Sequence, residues 1–148
     1  MGDHTISVDT SQSPTVLTYS DNFNVAVPFI DRHIEEGRAD KVVIRTNRDR
    51  QVTYGELAEN VNRTGNVLLS QGIKPGERCL MMVKDCPEFF YVFWGAIKAG
   101  IIAVPINTLL RSKDYTFMID DSAATGIVYS PEFAAEVEPA LEAASNKP

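Results

Sequence analysis

Leu80-Met81-Met82-Val83 is an unbroken apolar run, set between a turn cluster, Gly72 to Glu77, and the loop Lys84-Asp85-Cys86. A strand with one wet face alternates apolar and polar residues. A run with no polar member is the pattern of a strand covered on both faces, as in a parallel sheet packed between helices. The following segment agrees. From Pro87 to Ala99 the chain reads PEFFYVFWGAIKA, with Pro at the first helical position, Glu88 near the positive helix end and Gly100 just past the last turn. Such a helix rises only ~20 Å, too little to cross a bilayer, so it must be buried in protein and no membrane partner is expected. Ile101 to Ile106 is the next short strand.

The rest of the chain repeats this alternation. Phe29, Ile30, His33 and Ile34 recur at helical spacing, which predicts a short amphipathic helix over 27–36, started by Pro28 and stopped by Gly37. Val42 to Thr46 and Gln51 to Tyr54, joined by the polar turn Asn47 to Arg50, read as a strand or hairpin. Thr53 and Glu56 stand in capping-box relation ahead of a helix with Leu57, Val61, Leu68 and Leu69 on one face, ending at Gly72. Ser112 is expected to cap a helix through Asp121 with Tyr115, Met118 and Ile119 inward. Ile127 to Tyr129 makes another strand, Ser130-Pro131 opens an Ala-rich helix, and Pro139 is expected to kink or split it. Strands alternating with helices at short connections specify βαβ units. The fold class is α/β: an open, mostly parallel sheet with helices on both faces.

No internal repeat or linker divides residues 23–148, and 148 residues with 44% apolar side chains suffice for one core. The first 24 residues contain Asp3, Asp9 and Asp21, many Ser and Thr, and no Lys or Arg. Residues 1–22 are therefore expected to be a poorly ordered lead-in. They carry neither the basic start and apolar centre of a secretory signal nor the Arg of a transit peptide, which points to a soluble, cytoplasmic protein. Net charge is −6, and residues 31–63 hold seven acids and seven bases, so no basic stripe is available to nucleic acid. Cys79 and Cys86 are the only cysteines, too few for a disulfide framework or a zinc site, and both read as thiols.

Phosphate sites in α/β folds usually need a glycine-rich turn, because only glycine lets backbone amides crowd against phosphate oxygens. The nine glycines here are dispersed, with neither G-x-G-x-x-G nor G-x-x-x-x-G-K-[ST]. Two loops remain candidates for ligand contact. Lys84-Asp85-Cys86 follows a strand, where open α/β sheets place ligands, although solvated loop charges are the commoner reading. Arg111 and Lys113 lie at a helix start, where a cation gains nothing from the helix dipole; a phosphate-bearing ligand is one explanation, surface solubility the other. The rings from Phe89 to Trp94 spread around their helix and read as core packing rather than a pocket.

Two stretches are more specific than their physics requires. VTYGEL, Val52 to Leu57, resembles the first core motif of the adenylate-forming superfamily, which includes acyl-CoA synthetases, luciferases and peptide-synthetase adenylation domains. IKAGIIAVPIN, Ile97 to Asn107, resembles its second, where a Lys-Ala-Gly helix end leads to a Val-Pro strand. The intervening GIKPGERCLMMVKDCPEFFYVFWGAIKAG also follows the family pattern. The similarity covers about residues 23–145, and NTLLRSKDYTFMIDDS, Asn107 to Ser122, looks most like the benzoate-CoA ligases and related aromatic-acid ligases.

The resemblance implies a two-step reaction. A carboxylate attacks the α-phosphate of ATP to give acyl-adenylate and pyrophosphate, and the coenzyme A thiol then displaces AMP. ATP, Mg²⁺ and coenzyme A are the implied cofactors of the full-length enzyme, with none expected to bind this chain tightly, and a small carboxylic acid is its partner. Negative charge gathering at phosphorus calls for a metal ion, a phosphate cradle and a lysine, which in the family lie later in the chain. The fragment is thus expected to be inactive alone and to self-associate through exposed apolar surface. The resemblance makes Arg111 a candidate contact to a coenzyme A phosphate; where some aryl-CoA ligases present an Arg, this sequence has Leu109. Medium-chain or alicyclic acids, and a self-standing, non-catalytic interaction module, stay open as alternatives.

Overall fold

A computed structural model describes residues 4–148. Its centre is a three-stranded parallel sheet in the order β6-β5-β7, with β5 Arg78–Met82, β6 Ile102–Pro105 and β7 Gly126–Tyr129. Helix α3, Pro87–Lys98, joins β5 to β6, and α4, Ser112–Ser122, joins β6 to β7. The apolar run sits on the central strand, where its neighbours alternate. Leu80 and Met82 pack with Tyr115 and Ile119 of α4 and with Val137 and Ala140 of α5, Ala134–Ala143. Cys79 packs with Ala96 of α3 and with Leu68 of α2, Tyr54–Ser70, and Met81 packs with Val92. Helices therefore cover both faces, as the missing polar alternation requires, and each fully buried Leu or Met here contributes about 1.5–3 kcal/mol.

Beside this unit lies an antiparallel hairpin, β3 Val42–Arg45 and β4 Gln51–Thr53, with Ile44 opposite Val52. Val52 is buried with Ile30, Leu57, Val61 and Tyr91 in a second core under α2. The predicted capping box starts α2: the Glu56 amide donates to Thr53 Oγ1 at 3.2 Å, and the Thr53 amide to the Glu56 carboxylate at 2.9 Å. Among the described residues no helix is long and apolar enough to cross a membrane.

Four expectations change. Within residues 1–22, expected to be poorly ordered, the chain forms a hairpin, β1 Ile6–Asp9 with β2 Val16–Tyr19; residues 1–3 lie outside the described residues. Average composition hides the β-branched Ile6, Val8 and Val16, while the Asp9 carboxylate closes the turn by accepting from the Ser11 amide and hydroxyl and from Gln12. The helix expected over 27–36 is mostly a π-helical turn, Val27–Asp31, leading into α1, Arg32–Glu35. Ser112 is the first helical residue of α4, not its cap. Arg111 holds the extended cap conformation, and its amide donates to Asp114 at 3.2 Å. Nor does Pro139 split α5, which runs unbroken from Ala134 to Ala143 with Val137 and Ala140 buried in the core.

Candidate functional site

The parallel strands deliver three connecting segments to one edge of the sheet. β5 leads to Lys84-Asp85-Cys86, β6 to Asn107–Arg111 and β7 to Ser130 and a 3-10 turn, Pro131–Phe133, ahead of α5. This carboxyl edge is where open α/β sheets bind ligands. The segment after β7 organises the other two. Ser130 Oγ accepts from the Lys84 amide at 3.1 Å, and Glu132 pairs with the Lys84 ammonium, raising the lysine's pKa above its ordinary value and lowering the glutamate's.

One turn further on, Glu136 does more. Its Oε2 accepts from the Ser112 amide at 2.8 Å and the Ser112 hydroxyl at 2.7 Å, and its Oε1 from Arg111 Nη1 at 2.9 Å. The Ser112 hydroxyl, its amide and the Arg111 guanidinium together hold the carboxyl down at about 2. Arg111 thus lies at the start of α4, as the sequence suggests, and also at the carboxyl edge of the sheet, tethered by one edge of its guanidinium. Its side chain is still 80% exposed. At the other end of the loop, buried Tyr115 donates from its hydroxyl to the Asn107 carbonyl at 3.1 Å, and Asn107 Oδ1 accepts from the Leu109 amide at 2.9 Å. Glu136 and Ser130 escape sequence reasoning: Glu136 lies in an Ala-rich stretch 25 residues from Arg111, and no local pattern marks so distant a pair.

A second feature lies between the β3–β4 hairpin and the first turns of α3, where an apolar cavity of about 640 Å³ opens. Phe89, Phe90 and Trp94 line it, and Phe29 stacks on Trp94 with ring centroids 5.6 Å apart. The aromatic run is therefore only partly core: Tyr91 and Val92 are buried, whereas Phe90 is 40% exposed. Arg50 fixes the hairpin to α3 through Glu88 at 2.8 Å and the Tyr91 hydroxyl at 3.4 Å. Cys86 caps α3, and partial burial pushes its thiol pKa up; Cys79 is wholly enclosed, and burial pushes its thiol to about 11.

Among the described residues no three His, Cys, Asp or Glu side chains gather to hold a metal ion. The glycines with positive φ, Gly37, Gly72, Gly76 and Gly100, lie just past helix ends or in the turn before β5, where they stop helices and turn the chain.

Comparison with known proteins agrees with the motif resemblance. The family described as AMP-binding enzyme matches residues 30–148. The chain is 37% identical over 127 residues to a 4-hydroxybenzoate-CoA/benzoate-CoA ligase of Rhodopseudomonas palustris, covering 86% of this chain and 23% of the relative. It is 39% identical over 140 residues to a benzoate-CoA ligase of Thauera aromatica, covering 93% and 26%. The crystal structure of a benzoate CoA ligase from Burkholderia xenovorans LB400 superposes with a TM-score of 0.77 at 34% identity, over 82% of this chain and 24% of that one. The chain spans about a quarter of the length of the relatives it matches. With the family pattern matched from residue 30 to residue 148 and the parallel α/β architecture shared with a solved ligase, the chain belongs to the AMP-binding, adenylate-forming enzyme family.

Proposed function

We propose that this chain is the first α/β subdomain, residues 23–148, of an ATP-dependent carboxylate-CoA ligase. The complete protein joins benzoate or a related aromatic acid to coenzyme A, releasing AMP and pyrophosphate through an acyl-adenylate. The observation that carries the reading is the 37–39% identity to two ligases named for benzoate, over nearly the whole chain. ATP with Mg²⁺, and coenzyme A, are the cofactors of the complete protein, which works in the cytoplasm. Arg111 meets a phosphate of coenzyme A from the carboxyl edge of the sheet.

The test is a coupled AMP-release assay of the complete protein against a panel of carboxylic acids. Benzoate and hydroxybenzoates should give the highest kcat/KM. Turnover confined to medium-chain or alicyclic acids would overturn the substrate class, and no AMP release with any acid would overturn the ligase reading.

By itself the chain is scaffold and not catalyst, and titration calorimetry with MgATP should record no binding heat; micromolar affinity would overturn this. Leu109, Phe117 and Phe29, 85%, 61% and 55% exposed, leave enough apolar surface that the isolated chain self-associates. Sedimentation showing a clean monomer at high concentration would contradict that.

A further inference from the structure

Glu136 directs every contact the structure gives it at the segment that carries Arg111. Both carboxylate oxygens are used, on the Arg111 guanidinium and on the amide and hydroxyl of Ser112. A carboxylate at a helix N-terminus is stabilising in its own right, and Glu136 takes the Ser112 amide of α4 while Asp114, within α4, accepts from the Arg111 amide. Glu136 reaches in from α5, so the two helices are locked at the point where the loop ends. The loop's beginning is held by Tyr115, buried to 1% exposure, through the Asn107 carbonyl. A segment pinned at both ends while its middle and its cation face solvent is the arrangement expected of a preorganised binding loop, not of a connection under no demand.

The Arg111 contact is one-edged. Nη1 faces Glu136 while the side chain stays 80% exposed, so the remaining guanidinium donors keep room for the forked pairing that arginine makes with phosphate. A free arginine on a loop loses rotamer entropy when it engages a ligand; one already steered by a neighbour loses less. From this geometry we infer that Glu136 is a positioning residue for the coenzyme A half-reaction, acting through Arg111 and the start of α4. The inference rests on the proposed ligase activity and on Arg111 as a phosphate contact.

The test uses the complete protein with R111A, E136Q and the double variant. Three readouts are taken for each: the KM for coenzyme A, the carboxylate-dependent exchange of pyrophosphate into ATP, which needs no coenzyme A, and the melting temperature. E136Q keeps the side-chain shape but removes the charge. It should raise the KM for coenzyme A about tenfold and leave exchange within about twofold, and the double variant should be no worse than R111A, because a residue acting through another shows no further loss once that other is gone. S112A, which removes only the hydroxyl contact, gives a milder rise in the same direction and serves should E136Q fail to fold. An unchanged KM in E136Q, or losses in E136Q and R111A that multiply in the double variant, would overturn the positioning role and leave the Arg111 contact standing. An unchanged KM in R111A would remove that contact, and this inference with it. Absence of exchange in the wild-type protein would remove the ligase reading itself.

Discussion

Gly65 of α2 and Gly95 of α3 meet backbone to backbone: a Cβ at Gly65 would lie 2.8 Å from the Gly95 carbonyl oxygen, and one at Gly95 would lie 2.9 Å from that of Val61. In an exposed helix interior alanine is favoured over glycine by about 1 kcal/mol. Here the obstacle is backbone, which cannot swing aside as a side chain can. G65A and G95A should therefore each destabilise by about 1–3 kcal/mol, the usual range for overpacking. Urea unfolding checks this, and a midpoint equal to or above wild type would show that the helices can move apart without loss.

The capping box at the start of α2 admits a graded test. T53A removes the oxygen that accepts from the Glu56 amide and should cost about 1 kcal/mol, whereas T53S keeps that oxygen and should stay close to wild type. Equal losses in both variants would mean that the methyl group, not the cap, matters at this position.

The thiols should differ sharply in reactivity. Cys79 on β5 is fully enclosed and its pKa is pushed up to about 11, so a disulfide reagent at pH 8 should leave it unmodified until the chain unfolds. Cys86 is partly exposed at the start of α3, though burial still raises its pKa, so it should react slowly. Rapid titration of two thiols in the folded chain would contradict the covered central strand.

Acid should weaken the link between α4 and α5. The Glu136 carboxyl has an ordinary value of 4.5 and is held at about 2 in the fold. The folded value is depressed, so the stabilisation is fully present above pH 4.5 and is lost as pH falls through 2. The gap in urea midpoint between wild type and E136Q should be open at pH 6 and narrow below pH 4.5. A gap of constant width from pH 6 to pH 2.5 would show that the charge on Glu136 is not what holds Ser112 and Arg111.

Much of this architecture is written locally in the chain. The Leu80–Val83 run requires a doubly covered strand, the Thr53–Glu56 spacing starts a helix, and Pro87 and Gly100 bracket the next, because each signal acts within a turn or two of itself. The motifs at Val52–Leu57 and Ile97–Asn107 likewise identify the family that matches residues 30–148. Tertiary contact decided the rest. That Glu136 grips Arg111 and Ser112, and that Ser130 and Glu132 hold Lys84, depends on residues that are distant in the chain and brought together by the sheet order β6-β5-β7, while α5 runs unbroken through Pro139. Periodicity and capping report the energies of neighbours along the chain, whereas a carboxylate 25 residues from its arginine finds it only through the packing of two helices on one face of a strand.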